Sequence, residues 1–215
     1  MPYSYSQIDN IFYNDGYQLA ERIIGKDKTK NKFRILTKAL YENIDTLLDA
    51  FAFRIKQNNQ EIHCKKACSW CCSQPVFTND WEAEYLREFI KKSFNKEKIS
   101  AIKKKAKNKN SIISKRNEKE ILLARITCPL LENDICTVYS ARPMACRIYL
   151  SSNLDSCIHE FNHPGDNKKY AQLYDFPFHA GRKMNEGIAA WIEGLGNEVR
   201  EQRLEEILTD EFHVY

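Results

Sequence analysis

Residues 64 to 72 read CKKACSWCC, which gathers Cys64, Cys68, Cys71 and Cys72 within nine positions of a 215-residue chain that has eight cysteines. The other four, Cys128, Cys136, Cys146 and Cys157, follow a lysine-rich segment. Thiolates are soft ligands, and a tetrahedral metal needs sulfurs converging from several directions. Close spacing within each group reduces the chain entropy lost in gathering them. Four sulfurs on one nine-residue stretch struggle to surround a single ion, because adjacent side chains such as Cys71 and Cys72 point differently, so the second group supplies what the first cannot. Pairing the groups closes the loop from 73 to 127 onto the cluster. For a single cysteine the ordinary alternative is inert burial as a small apolar residue, but eight in two clusters argue for chemistry. Cys157 stands furthest from the others, and CIHEFNH places His159 and His163 near it as substitutes. Lone histidines of this kind are more often surface or core residues than ligands, so the predicted metal ligands are the eight cysteines.

The compartment decides whether such thiols form disulfides or hold metal. With 43% hydrophobic and 12% aromatic residues, the chain can bury a core without covalent staples. MPYSYSQIDNIFYNDG has neither a basic stretch nor an apolar run of the kind that targets secretion, and no apolar run reaches the roughly 18 to 20 residues that span a bilayer. These features predict a cytoplasmic protein with no membrane partner. In a reducing compartment, clustered cysteines are metal ligands or reactive thiols before they are a disulfide framework.

The elements that must position the cysteines are mostly helical. Phe33, Leu36, Leu40, Ile44, Leu47, Leu48, Phe51 and Ile55 recur at steps of three and four, which predicts a long amphipathic helix ending near QNNQ. A second helix is predicted after Asn79, with Glu82 completing a capping box and a stripe of Trp81, Tyr85, Leu86, Phe89, Ile90 and Phe94. The lysine-rich stretch predicts a third, weakly amphipathic helix from about 96 to 118 on Ile99, Ile102, Ile112 and Ile113. Residues 151 to 182, rich in turn formers, predict an irregular loop region. Further helices are expected over about 182 to 194 and 198 to 209. No sustained strand alternation, repeat or long linker appears. The expectation is a single domain over 1–215, mainly α, with an irregular cysteine-rich metal-binding core at about 64–157 and a Lys-rich helical insertion at about 96–118.

Formal net charge is only +4, but eleven lysines and Arg116 fall between 91 and 120 against three glutamates, while 183 to 215 hold eight acidic side chains against three basic ones. A basic segment can mark nucleic acid. KKKAKNKN, however, lacks the arginines and aromatics that fork onto phosphate or stack on bases. It reads as a solvated helix face or a mobile insertion, not as a nucleic-acid partner surface.

The second cysteine group reads CPLLENDICTVYSARPMACRIY. Together with CKKACSWCC it resembles the YkgJ-type CxxCxxCC cysteine-cluster family, described as zinc- or iron-chelating proteins. The matching positions are Cys64, Cys68, Cys71 and Cys72, then Cys128, Pro129, Leu131, Cys136, Tyr139, Arg142, Pro143, Cys146 and Arg147. The resemblance spans about 64 to 150 and implies metal binding; it implies nothing for the flanking helices. Pro143 suits the first turn of a helix carrying Cys146 and Arg147. Arg142 and Arg147 are placed to offset the negative charge of gathered thiolates.

Zinc and an iron-sulfur cluster fit all-sulfur ligation about equally. No glycine falls between 64 and 80, as zinc knuckles often require, which leans towards a cluster. So do the flagellin lysine methylases, iron-sulfur proteins that share the cysteine signature. Copper(I) is a further soft-metal possibility, although three methionines make no methionine-rich site. Cys64, Cys68, Trp70 and Cys71 also fit the radical S-adenosylmethionine signature, but a long helix precedes them, no strand series follows and five thiols go unused. No glycine-rich strand-to-helix turn, Ser-His-Asp or HExxH pattern points to an enzyme. The predicted function is metal binding through thiolates, with zinc or iron as cofactor and the metal ion as partner; an iron-sulfur redox or methyl-transfer enzyme is the alternative.

Overall fold

The computed structural model describes residues 5–25, 29–166 and 168–209, and over these the chain is mainly helical. Helix α1 (Tyr5–Ile24) has no counterpart in the sequence prediction and runs antiparallel to a late helix, as described below. Helix α2 (Lys30–Gln57) starts where Thr29 Oγ1 accepts the Lys32 amide at 3.4 Å and stops inside QNNQ, as its periodicity predicts. The short strand β1 (Phe77–Asn79) leads into α3 (Asp80–Ser93), whose predicted capping box forms: the Asn79 amide donates to Glu82 Oε2 at 3.4 Å.

The predicted helix from 96 to 118 divides in two. Helix α4 (Lys96–Ile113) ends, and Asn117 starts α5 (Glu118–Leu123) by accepting the Glu120 amide at 3.0 Å. Ile102 and Ile113 are buried as expected, whereas Ile112 faces solvent. Strands β2 (Leu131–Glu132) and β3 (Ile135–Cys136) form a hairpin whose two loop residues, Asn133 and Asp134, both have left-handed φ, the conformation that matches strand twist in tight hairpins. The four-residue helix α6 (Met144–Arg147) follows Pro143, which stands at its N-cap.

The loop predicted over 151 to 182 is corrected by two helices. Asn153 accepts the Ser156 amide at 3.1 Å and opens α7 (Leu154–Asn162), and α8 (Asp175–Gly194) begins seven residues before the expected start at 182. Pro177 sits in the first turn of α8, where its missing N–H has no intrahelical partner and costs nothing. The helix expected from 198 to 209 is strand β4 (Glu201–Arg203), paired antiparallel with β1 in the register Phe77 to Arg203, followed by α9 (Leu204–Thr209).

Two cores result. In the first, α1 and α8 cross so closely that a Cβ at Gly16 would lie 2.0 Å from the Met184 carbonyl oxygen and one at Gly187 2.0 Å from that of Tyr13. Leu36, Leu40 and Ile44 of α2 pack there with Ile188, Trp81 and Met144. The second joins Leu86 and Ile90 of α3, Ile102 and Ala106 of α4, and Ile207 and Leu208 of α9 to Leu130 and Val138 around the hairpin. The lysine-rich segment is therefore neither a wholly solvated face nor a loose insertion. Lys109 is 5% exposed and pairs at 3.7 Å with Glu205, which is fully buried. Arg203 reaches Asn110 at 3.1 Å. The basic middle and the acidic end of the sequence meet across this core.

Candidate metal centre

Cys64 lies in the loop after α2, and its sulfur is fixed to the chain around Tyr149 and Ser151. The Ser151 amide donates to Cys64 Sγ at 3.1 Å, the thiol reaches the Tyr149 carbonyl at 3.6 Å, and the His63 amide bonds the Ser151 carbonyl at 3.0 Å. A turn closed by the Cys68 amide on the Lys65 carbonyl at 3.0 Å, with Ala67 at φ 69°, brings Cys68 round beside Cys64. Cys71 and Cys72 occupy one turn of 3-10 helix, Trp70–Ser73, which sends adjacent side chains in different directions. Cys157 lies on α7, where the Ser151 and Ser156 side chains lower its thiol against the effect of burial. Trp70 meets Phe161 of α7 edge to face at 5.2 Å and pins that helix against the 3-10 turn.

The later cysteines reach the same turn from its other side. The Cys128 amide donates to the Cys72 carbonyl at 2.7 Å, and Cys136 sits in β3 opposite Leu131. The amides of Leu130 and Val138 donate to the sulfurs of Cys128 and Cys136, each two residues beyond the cysteine it serves. Cys146 is carried by α6. All eight cysteines are free thiols.

Burial dominates their acidity. It pushes Cys128 up to about 12 and Cys146 well above the usual thiol range, and raises Cys64, Cys136 and Cys157. The Cys71 thiol donates to Cys72, which holds the proton on Cys71 and lowers Cys72. Against burial work the amide N–H groups aimed at sulfur and two cations. Arg142 lowers Cys64, Cys72, Cys136 and Cys146, and Lys109 lowers Cys72 and Cys128.

Of the two arginines predicted to offset thiolate charge, Arg142 stands where it lowers the thiols. Stacked 3.9 Å over the Tyr139 ring, it faces both cysteine groups. Arg147 is committed elsewhere: only 2% exposed, it forks onto both Asp45 oxygens at 2.6 Å, stacks 4.0 Å over Tyr41 and also donates to the Ser140 carbonyl. Lys109 escaped the sequence reading, although it falls on the α4 stripe Ile102, Ala106, Ile113 at helical spacing and so points inward. His159 and His163 are engaged at the far end of α7, His159 with Asp166 at 2.9 Å and His163 with the His159 carbonyl at 3.2 Å.

The donor set therefore consists of thiols with cationic and N–H support, the chemistry suited to a soft or borderline metal. Among the described residues, no three cysteine, histidine or acidic side chains already stand in an arrangement that holds an ion. The fit lies in donor type and in the clustering of the sulfurs. A cleft of about 480 Å³ opens beside the 3-10 turn, with Cys71 and Cys146 on its wall together with Tyr149, Asn185 and Arg182.

No curated protein and no solved structure matches the chain. Residues 63–172 match the family described as "CxxCxxCC: Putative zinc- or iron-chelating domain". That span takes in all eight cysteines, the hairpin, α6 and α7, and it covers just over half of the sequence. The chain belongs to the CxxCxxCC family of zinc- or iron-chelating domains.

Proposed function

We propose that the protein binds zinc or an iron-sulfur cluster through Cys64, Cys68, Cys71, Cys72, Cys128, Cys136, Cys146 and Cys157, and that it works in the cytoplasm. The observation that carries this reading is the set of backbone amides directed at sulfur: Ser151 to Cys64, Leu130 to Cys128 and Val138 to Cys136. Donors of this kind favour the thiolate over the thiol. They are what a ligand sulfur needs and what an inert buried cysteine does not. Bound metal supplies the positive charge that offsets the cost of holding thiolates in these surroundings. Arg142 and Lys109 add to it from behind the ligands.

The cleft favours a second reading. With Cys71 and Cys146 on its wall, a small molecule would lie against the metal-bearing sulfurs, as an iron-sulfur redox or methyl-transfer enzyme resembling the flagellin lysine methylases would require. Elemental analysis and an absorption spectrum of protein purified without oxygen separate the two. Iron and sulfide with broad visible absorption support the cluster and the enzyme. Stoichiometric zinc in a colourless protein supports a structural, storage or delivery role. Protein that takes up neither metal overturns the proposal.

A further inference from the structure

The cleft beside the 3-10 turn has a stripe of α8 as one of its walls. Phe178, Arg182, Asn185 and Ala189, at steps of four, three and four, share one face of that helix and line the space. Val76 and, from β1, Phe77 line it as well, together with Ile148 just after α6. Its volume of about 480 Å³ falls within the range of small-molecule sites, and its lining has their character, apolar and aromatic with a few polar groups.

Most of those polar groups are already engaged. Glu82 accepts from the Met144 amide, from Tyr41 and from Asn79. Gln74 donates to Tyr149 at 3.2 Å, and Tyr149 donates to Glu160 at 3.4 Å. Arg182 and Lys183 both pair with Glu186, at 3.7 and 2.6 Å, and the Arg182 guanidinium lies over the Phe178 ring. Glu201 is exposed on β4. Asn185 differs from all of these: its Oδ1 is buried and has no hydrogen-bond partner among the described residues. A buried acceptor left without a donor is costly, and in a folded protein it calls for a partner. Because the charges beside it are paired with one another, the cleft holds no spare counter-charge for an ion, and the partner that suits Asn185 is a neutral N–H.

We propose that the cleft binds a flat, uncharged nitrogen heterocycle of the aminopurine type. Its amino group donates to Asn185 Oδ1 while the adjacent ring nitrogen accepts from Asn185 Nδ2, the pairing through which asparagine reads adenine. Phe77, Phe178, Val76 and Ile148 supply aromatic and apolar surface for the ring. The proposal rests on the reading of the cleft as a ligand site, and it sets the bound molecule against the wall that carries Cys71 and Cys146.

The test is calorimetric titration of the full-length protein, reduced and as purified, with three probes: adenosine, its analogue dimethylated on the amino group, and benzoate, which is flat but anionic. Adenosine should bind saturably at one site per chain, and the dimethyl analogue, which keeps the ring and loses the N–H, should bind roughly tenfold more weakly. Asn185→Leu should weaken adenosine by the same factor and take the two nucleosides alike. Ala189→Leu, which fills the cleft and removes no polar group, should abolish binding. Since Oδ1 has no partner to lose, Asn185→Leu should melt no lower than wild type; a lower Tm with unchanged adenosine affinity would make Asn185 a structural residue and overturn the proposal. The wild-type comparison of the two nucleosides decides the matter even where a variant fails to fold, and equal affinities for them overturn the proposal. Benzoate binding that Ala189→Leu blocks, without adenosine binding, overturns the ligand class and leaves the cleft a ligand site. If no probe binds, the proposal and the reading of the cleft fall together, while metal content measured on the same samples reports separately on the metal.

Discussion

Burial holds Cys64, Cys128, Cys136, Cys146 and Cys157 above the ordinary thiol range, so at neutral pH they carry protons that a metal must displace. Zinc affinity should therefore rise with pH through the neutral range. Calorimetry in buffers of different ionisation enthalpy should count several protons released per chain; none released would contradict thiolate ligation. Charge behind the ligands should matter selectively. Replacing Lys109 with Met, or Arg142 with Gln, should weaken zinc binding by roughly tenfold, as loss of a supporting group typically does. Replacing Lys103, Lys104 and Lys105 together with Ala should leave affinity unchanged, because the proposed centre lies on the cysteines. The cysteines were legible because thiols cluster in few other contexts. Lys109 was not singled out in a run of lysines, since a long flexible stem usually carries the charge to water, and its inward partner Glu205 lies almost a hundred residues away.

Among the elements, the long and strongly periodic ones were readable and the short ones were not. The stripes of α2 and α3 and the Asn79 to Glu82 box follow from local spacing. Helix α7 has nine residues between turn formers, and its existence depends on packing Phe161 against Trp70. Strand β4 exists because β1 lies beside it, which no local pattern of EQR announces. The meeting of α1 and α8 depends on two glycines 171 positions apart. Gly187→Ala should cost roughly 1–3 kcal/mol through overpacking against the Tyr13 carbonyl, read as a lower chemical denaturation midpoint; an unchanged midpoint would mean the helices do not cross so closely. Glu82 joins α3 to α6 and α2, accepting from the Met144 amide at 2.6 Å and the Tyr41 hydroxyl at 2.8 Å. Burial nevertheless raises its pKa above 4.5. Its contribution to stability is therefore complete below the unfolded value and is lost as pH rises through the folded one. Against wild type, Glu82→Gln should flatten the stability profile between these two values; parallel profiles would show that Glu82 does not titrate there.

At the scale of the whole molecule, helical cores bracket a centre that has little regular structure of its own. The 3-10 turn, the two-residue strands and α6 offer few backbone bonds, and their position is set by α3, α4, α8 and the sulfurs themselves. Among the described residues, no helix is long and apolar enough to cross a membrane. The sequence made the helical class and the chelating family readable, whereas the surroundings of Cys64 and Cys136 depend on Ser151 and on the hairpin, contacts that local spacing does not announce. A centre of this kind should draw part of its stability from bound metal. The most direct test is thermal unfolding of the purified protein under reducing conditions, with and without a strong chelator. At a metal concentration about a hundredfold above Kd, linkage is worth about 2.7 kcal/mol, which for a chain of this size lowers Tm by roughly 5–10 °C on chelation. A melting curve that does not move would contradict thiolate metal binding as the function of the centre.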